Sequence, residues 1–132
     1  INLDMNHVDI DPARGNSVRL FANHETDYNH IVNLTAEYEK DNPEMAEKYD
    51  IQTMLLDGEQ GEDNEMPCNS DHCPFVYDLG GENGRAVVCY GSGSWEYHTY
   101  LDTMSRFNEE SLAISGTIYG TYMRLLAYDL NV

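Results

Sequence analysis

Leu112-Ala113-Ile114-Ser115-Gly116-Thr117-Ile118-Tyr119-Gly120, continued by Thr121 to Leu130, is the stretch on which the fold class turns. Read for period two, Leu112 to Tyr119 has the alternation of a strand, Gly120 turns the chain, and Thr121 to Leu130 makes a last strand. Upstream, Phe75-Val76-Tyr77 and Ala86-Val87-Val88-Cys89-Tyr90 are β-prone runs separated by Gly80, Gly81, Asn83 and Gly84, which predicts a hairpin of antiparallel neighbours. Gln52 to Leu56, closed by Asp57-Gly58, supplies another strand before the charged loop Glu59 to Asn64. Gly91-Ser92-Gly93-Ser94 breaks the chain, and Trp95 to Phe107 reads as an aromatic-rich connection with some helical character.

The N-terminal third has a different period. Leu20, Phe21, Tyr28, Ile31, Val32 and Tyr38, with His24 and Thr35 in the same stripe, recur at three and four, which predicts an amphipathic helix from Val18 to Tyr38. Asn42-Pro43 offers an N-cap and a first-turn proline, and Glu44 suits the positive end of the dipole, so a short helix should run through about Tyr49. Residues 1–17, with Pro12 and Gly15 and no clear periodicity, read as an arm. The expected architecture is mainly β with an N-terminal helical segment: an arm over 1–17, then one domain over 18–132, with helices in 18–50 and a five-stranded OB-type β-barrel in 51–132.

The phrase Ala46-Glu47-Lys48-Tyr49-Asp50 after Asn42, then Thr53-Met54-Leu55-Leu56-Asp57-Gly58, Val87-Val88-Cys89-Tyr90 and Leu112 to Gly120, resembles the tRNA-anticodon-like OB-fold domain family of bacterial proteins. The resemblance spans about residues 28–132. It implies the same barrel and assigns no activity. The insert from Gln60 to Pro74 and Asp129 in the last strand depart from the family pattern.

Charge narrows the function. Asp and Glu number 24 against 7 Lys and Arg, a formal net charge of -17, and the basic residues are scattered singly. A phosphate backbone would be repelled, so unaided nucleic-acid binding is not expected. A surface of this kind suits high salt, cation-rich surroundings or extracellular solubility, or is simply well solvated. No run approaches the length of a membrane span. The chain opens at Ile1, for which a removed export signal is the simplest reading, although a trimmed chain would look the same; an extracytoplasmic or secreted location is the expectation.

Cys68, His72 and Cys73, with Cys89 on a later strand, carry the ligand types of a structural zinc site, but a local Cys68–Cys73 disulfide pinning the long loop is the favoured reading, with Cys89 a core thiol. Asp9 and Asp11, and the group Asp57, Glu59, Glu62, Asp63 and Glu65, could hold a hard cation such as calcium; neither fits the EF-hand register, and solvated acidic loops are favoured. The five histidines are dispersed and no nucleophile, phosphate-loop or dinucleotide motif is present, so no catalytic residue, metal site or cofactor is assigned. Asn33-Leu34-Thr35 is a formal glycosylation sequon inside the expected helix and receives no role.

The aromatic side chains remain. Tyr77, Tyr90, Trp95 and Tyr97 are the candidate ligand-binding residues, as OB barrels present aromatic strand faces to ligands. The expected function is a non-enzymatic binding module for a protein or small ligand. The alternative is a structural subunit of a homo-oligomer or filament, in which Ile1-Asn2-Leu3-Asp4-Met5 adds a strand to the open edge of another copy.

Overall fold

A computed structural model describes residues 1–78 and 84–128. The strands are β1 (Asn2–Leu3), β2 (Ser17–Ala22), β3 (Asp50–Leu55) and β4 (Val87–Gly91), and the helices are α1 (Glu25–Asp41), α2 (Pro43–Lys48) and α3 (Glu109–Tyr128). One sheet has the order β1-β4-β2-β3; β2 runs parallel to β3 and antiparallel to β4, and β1 runs parallel to β4. The fold is therefore α/β, with an open, mixed, four-stranded sheet and two long helices. This corrects the expectation of a mainly β, five-stranded barrel: β1 and β3 stand at opposite edges and do not close on one another.

The largest correction falls on residues 112–128. Leu112 to Tyr119 and Thr121 to Tyr128 are one helix, α3, with no turn at Gly120. Its buried residues are Ser111, Ile114, Ser115, Ile118, Tyr119 and Tyr122, a spacing of three and one that marks a single helical face. Tyr119, fully buried, donates its hydroxyl to the Val88 carbonyl at 2.8 Å and so ties this face to the sheet. Asp129 and Leu130 of the expected last strand lie outside the described residues.

The expected helix from Val18 divides in two. Val18, Leu20 and Ala22 are buried while Arg19 between them is exposed, the period of a strand, and β2 is central, paired along its length with β3 and β4. The helix begins only at Glu25, where the His24 ring nitrogen accepts a hydrogen bond from the Thr26 amide at 3.2 Å and Glu25 and Asp27 occupy the positive end of the dipole. β2, α1 and β3 thus make a βαβ unit. The break before α2 lies at Asn42-Pro43, but the Asn42 side chain caps backwards, donating to the Tyr38 carbonyl at 2.9 Å.

Both sheet faces are covered. Val18, Leu20, Ala22, Val87 and Cys89 meet Ile31 and Tyr38 of α1 and Ile114, Ile118, Tyr119 and Tyr122 of α3. Asp27 of α1 is bonded to α3 through the Tyr122 hydroxyl and is held by two Arg85 hydrogen bonds of 2.8 and 2.9 Å. On the opposite face Val88, Leu56, Met66, Val76 and Ala86 form a second cluster with Phe21, Tyr77 and Tyr90 against it. Phe75-Val76-Tyr77 is part of a π-helical turn, Pro74–Asp78, and not a strand, which corrects the expected hairpin. Its register lets Val76 enter the second cluster while the Tyr77 hydroxyl donates to the Met66 carbonyl at 2.6 Å. Gly80, Gly81 and Asn83 lie outside the described residues.

The first seventeen residues contribute β1 and the buried Val8 and Asp9. Among the described residues, no helix is long and apolar enough to cross a membrane.

Candidate functional site

Past β4 the chain runs against the N-terminal segment, and the contact is possible only without side chains. A Cβ on Gly91 would sit 2.4 Å from the His7 carbonyl oxygen and 2.8 Å from that of Met5, and Gly93 has φ +74°. The Gly91 amide donates to Met5 at 2.6 Å and the Gly93 amide to His7 at 3.1 Å. This clamp sets residues 5–9 beside 91–97 and leaves a cleft of about 440 Å³ between Met5, Asp9, Arg14, Ser92–Ser94, Trp95 and Tyr97. The volume is in the range of small-molecule sites.

Trp95 and Tyr97 wall this cleft and stay 53% and 49% exposed. The guanidinium carbons of Arg106 and Arg14 lie 5.3 and 5.9 Å from the Trp95 ring centroid, within cation–π range. Beside the aromatic wall is a charge cluster. Asp9 and Glu96 are 1% and 0% exposed and share one guanidinium: Arg106 Nε donates to Glu96 Oε1 at 3.1 Å, and its terminal nitrogen lies 3.5 Å from Asp9 Oδ1. Asp9 Oδ1 also accepts from the Asp11 amide at 2.9 Å. His7 Nε2 lies 3.8 Å from Glu96 Oε1. Three buried atoms here, Asp9 Oδ2, Glu96 Oε2 and His7 Nε2, have no hydrogen-bond partner among the described residues. Loss of solvent pushes the Glu96 carboxyl upward, but hydrogen bonding from Arg106, from its own backbone amide and from Ser94, together with the Arg106 charge, outweighs it and holds the group below its ordinary value.

The four aromatic residues named from sequence do not form one face. Trp95 and Tyr97 share the cleft just described. Tyr90 projects from β4 on the opposite face of the sheet from Cys89, donates to Asn69 Oδ1 at 2.6 Å, and packs beside Phe21 and the edge of His72. Tyr77 lines a separate cleft of about 420 Å³ at the carboxyl ends of β2 and β3, with His24, Thr26 and Asp57. The expectation of an aromatic strand face is corrected accordingly, because only Tyr90 stands on a strand.

Cys68 and Cys73 are joined in a disulfide with Cα atoms 4.8 Å apart. Cys89 is a free thiol in the helix-side core, where burial pushes it up to about 12. His72 is buried and bonded within the fold, its Nε2 to the Pro67 carbonyl at 2.6 Å and its Nδ1 3.3 Å from the Asn2 amide nitrogen. The four zinc-type side chains are therefore not assembled. In the acidic loop Glu65 accepts from the Gly61 amide at 2.7 Å and Asp57 from Asn64 at 3.0 Å. No group of three or more His, Cys, Asp or Glu among the described residues could hold a metal ion.

Compared with protein-family models, curated proteins and solved structures, the chain matches none of them. Sequence reasoning missed Glu96, Arg106 and His7 and considered Asp9 only as a hard-cation donor. No local motif marks the set, since Asp9 and Glu96 are far apart in sequence and are brought together only through Arg106; the one local signal is a carboxylate set between Trp95 and Tyr97.

Proposed function

We propose that this chain is a non-enzymatic binding module that works outside the reducing cytoplasm and holds a small ligand in the cleft beside Trp95 and Tyr97. The observation that carries the reading is the juxtaposition of two exposed aromatic rings with a buried carboxylate, Asp9, that retains an unpartnered oxygen. Rings of this kind give stacking area at low entropic cost, and a desolvated polar atom gives direction and selectivity. The disulfide supports an oxidising compartment.

The test is thermal stabilisation by a panel of small sugars, amines, carboxylates and alcohols, read in parallel on the native chain and on Trp95→Ala. The expected result is a raised midpoint with at least one class and its loss in the variant. A native chain indifferent to the whole panel, or a variant stabilised equally, removes the reading.

A second reading rests on a different observation. β3 is a six-residue edge strand whose outer side has no partner among the described residues, which supports a subunit that assembles by strand addition. The N-terminal route to such assembly is weakened, because Asn2 and Leu3 already pair with β4 of their own chain. Sedimentation across concentration and salt decides this reading; a chain that stays monomeric throughout is not such a subunit.

A further inference from the structure

Among the described residues, the cleft beside Trp95 is set apart from the other clefts, the disulfide loop, the open β3 edge and the Asp27–Arg85–Tyr122 cluster because Asp9, a buried group with an unpartnered oxygen, lines it; Thr35 Oγ1 also lacks a partner but its residue lines none of these clefts. Asp27 is fully bonded. The cleft at the start of α1 presents a helix N-terminus without an unpartnered buried group.

Around Trp95 the acidic side chains are Asp9, Asp11 and Glu96 and the basic ones are Arg14 and Arg106, with His7 beside Glu96. Each guanidinium has an acid beside it: Arg14 lies 3.8 Å from Asp11, and Arg106 serves both Glu96 and Asp9. The deficit is therefore of positive charge and of N–H donors, since one guanidinium is divided between two desolvated carboxylates and each keeps an oxygen without a donor. A buried carboxylate left in that state is costly, and a cation bearing N–H groups is what relieves it. The remaining walls are Met5, Trp95 and Tyr97, which favour an apolar body and, through the ring faces, a positive head. The whole chain, at -17, draws cations in and repels anions. A bare metal ion fits less well, because no three acidic, histidine or cysteine side chains among the described residues are gathered to hold one.

We propose that the cleft beside Trp95 takes a protonated amine on a short apolar stem, its N–H groups donating to Asp9 and its stem lying along Trp95. This rests on the reading of the cleft as a binding site and names the ligand class that site selects. Arg14, exposed at the rim, is then an unfavourable neighbour for the ligand.

The test uses the full chain at constant ionic strength, with n-butylammonium, n-butanol and butyrate as probes of one size and calcium chloride as the metal control. Binding is read by titration calorimetry and by the emission of Trp95, the one tryptophan of the chain. Butylammonium should saturate at one site per chain with a shift in emission, and butanol and butyrate should bind about tenfold more weakly or less, the worth of a charge-assisted hydrogen bond. Asp9→Asn should weaken the amine by about tenfold or more. Arg14→Ala should strengthen it, an effect that loss of structure would not produce and that still decides the matter if Asp9→Asn fails to fold.

Butanol or butyrate binding as tightly as the amine, with the same emission shift, overturns the ligand class and leaves the cleft standing as a binding site. Calcium competing at equal or lower concentration overturns the class in favour of a metal. Unsaturable heat that vanishes with salt, without a shift in emission, is diffuse counterion binding and also overturns the inference, while the wider panel on Trp95→Ala judges the cleft separately.

Discussion

Gly116 and Gly120 provide a direct test of the α3 assignment. Both lie inside the helix, and a Cβ added at either meets no atom within 4 Å beyond its own neighbours and helix backbone. Replacing each by alanine should therefore remove unfolded-state freedom without introducing a clash, a gain of about 1 kcal/mol per site. The two positions lie one helical turn apart and both replacements are small, so the gains should add approximately, to about 2 kcal/mol. With an unfolding entropy of about 2.1 cal/mol/K per residue, a chain of 132 residues should melt about 7 °C higher as Gly116→Ala/Gly120→Ala. Thermal unfolding followed by circular dichroism at 222 nm reads both the midpoint and the helix signal. If Gly120 instead turned the chain between two strands, alanine there would be strained and the midpoint would fall. A lower midpoint for Gly120→Ala, or a weaker helical signal, would refute the continuous helix.

Three further outcomes follow from the same structure. Cys68→Ser/Cys73→Ser opens a loop of sequence separation 5 and should cost about 2 kcal/mol by chain entropy, seen as a lower urea midpoint with an unchanged slope; no loss would mean that the loop is ordered without its bridge. Asp27 loses solvent, which raises its carboxyl, but the Arg85 and Tyr122 hydrogen bonds and the Arg85 charge leave it below its ordinary value. The folded state therefore binds this proton less tightly than the unfolded chain, so the stabilisation is full above about pH 4 and fades as pH falls through the folded value. Asp27→Asn should cost about 2 kcal/mol at pH 7, discounted for the half-exposed Arg85, and should flatten the acid limb of a stability–pH curve; an unchanged limb would show that Asp27 does not titrate with unfolding. Finally, raising sodium chloride from 0.01 to 0.15 M shortens the Debye length from about 30 to about 8 Å and should raise the melting midpoint and slow hydrogen exchange most around residues 37–65, whereas a flat or falling midpoint would mean that those acids are already paired.

Some features were legible because they depend on near neighbours. The break at Asn42-Pro43 and the short helix after it follow from the fixed φ of proline, and both appear where expected. Gln52–Leu55 and Val87–Tyr90 are strands, within the expected runs Gln52 to Leu56 and Ala86 to Tyr90, although Gly91, expected in the break, is the last residue of β4, where the close approach of Met5 and His7 requires it. The net charge is likewise complete in the sequence.

The sheet order, the nature of α3 and the site were decided only by tertiary structure. Leu112, Ile114 and Ile118 are compatible with either period, because the two β-branched isoleucines favour a strand while the larger set Ser111, Ile114, Ser115, Ile118, Tyr119 and Tyr122 fits one side of a helix. Which set is buried depends on what packs against it, and here that is α1 and the sheet face of Val18, Leu20 and Cys89. Leu20 and Phe21 joined a helical stripe on paper, yet they belong to opposite faces of a central strand, one packed under the helices and the other under the 56–78 segment. The cluster of Asp9, Glu96 and Arg106 has no local signature at all, since its electrostatics exist only once residues 5–9 lie beside 91–97. Backbone stereochemistry acts over a few residues and can be read in order along the chain, whereas burial and charge pairing belong to contacts that the folded chain alone creates.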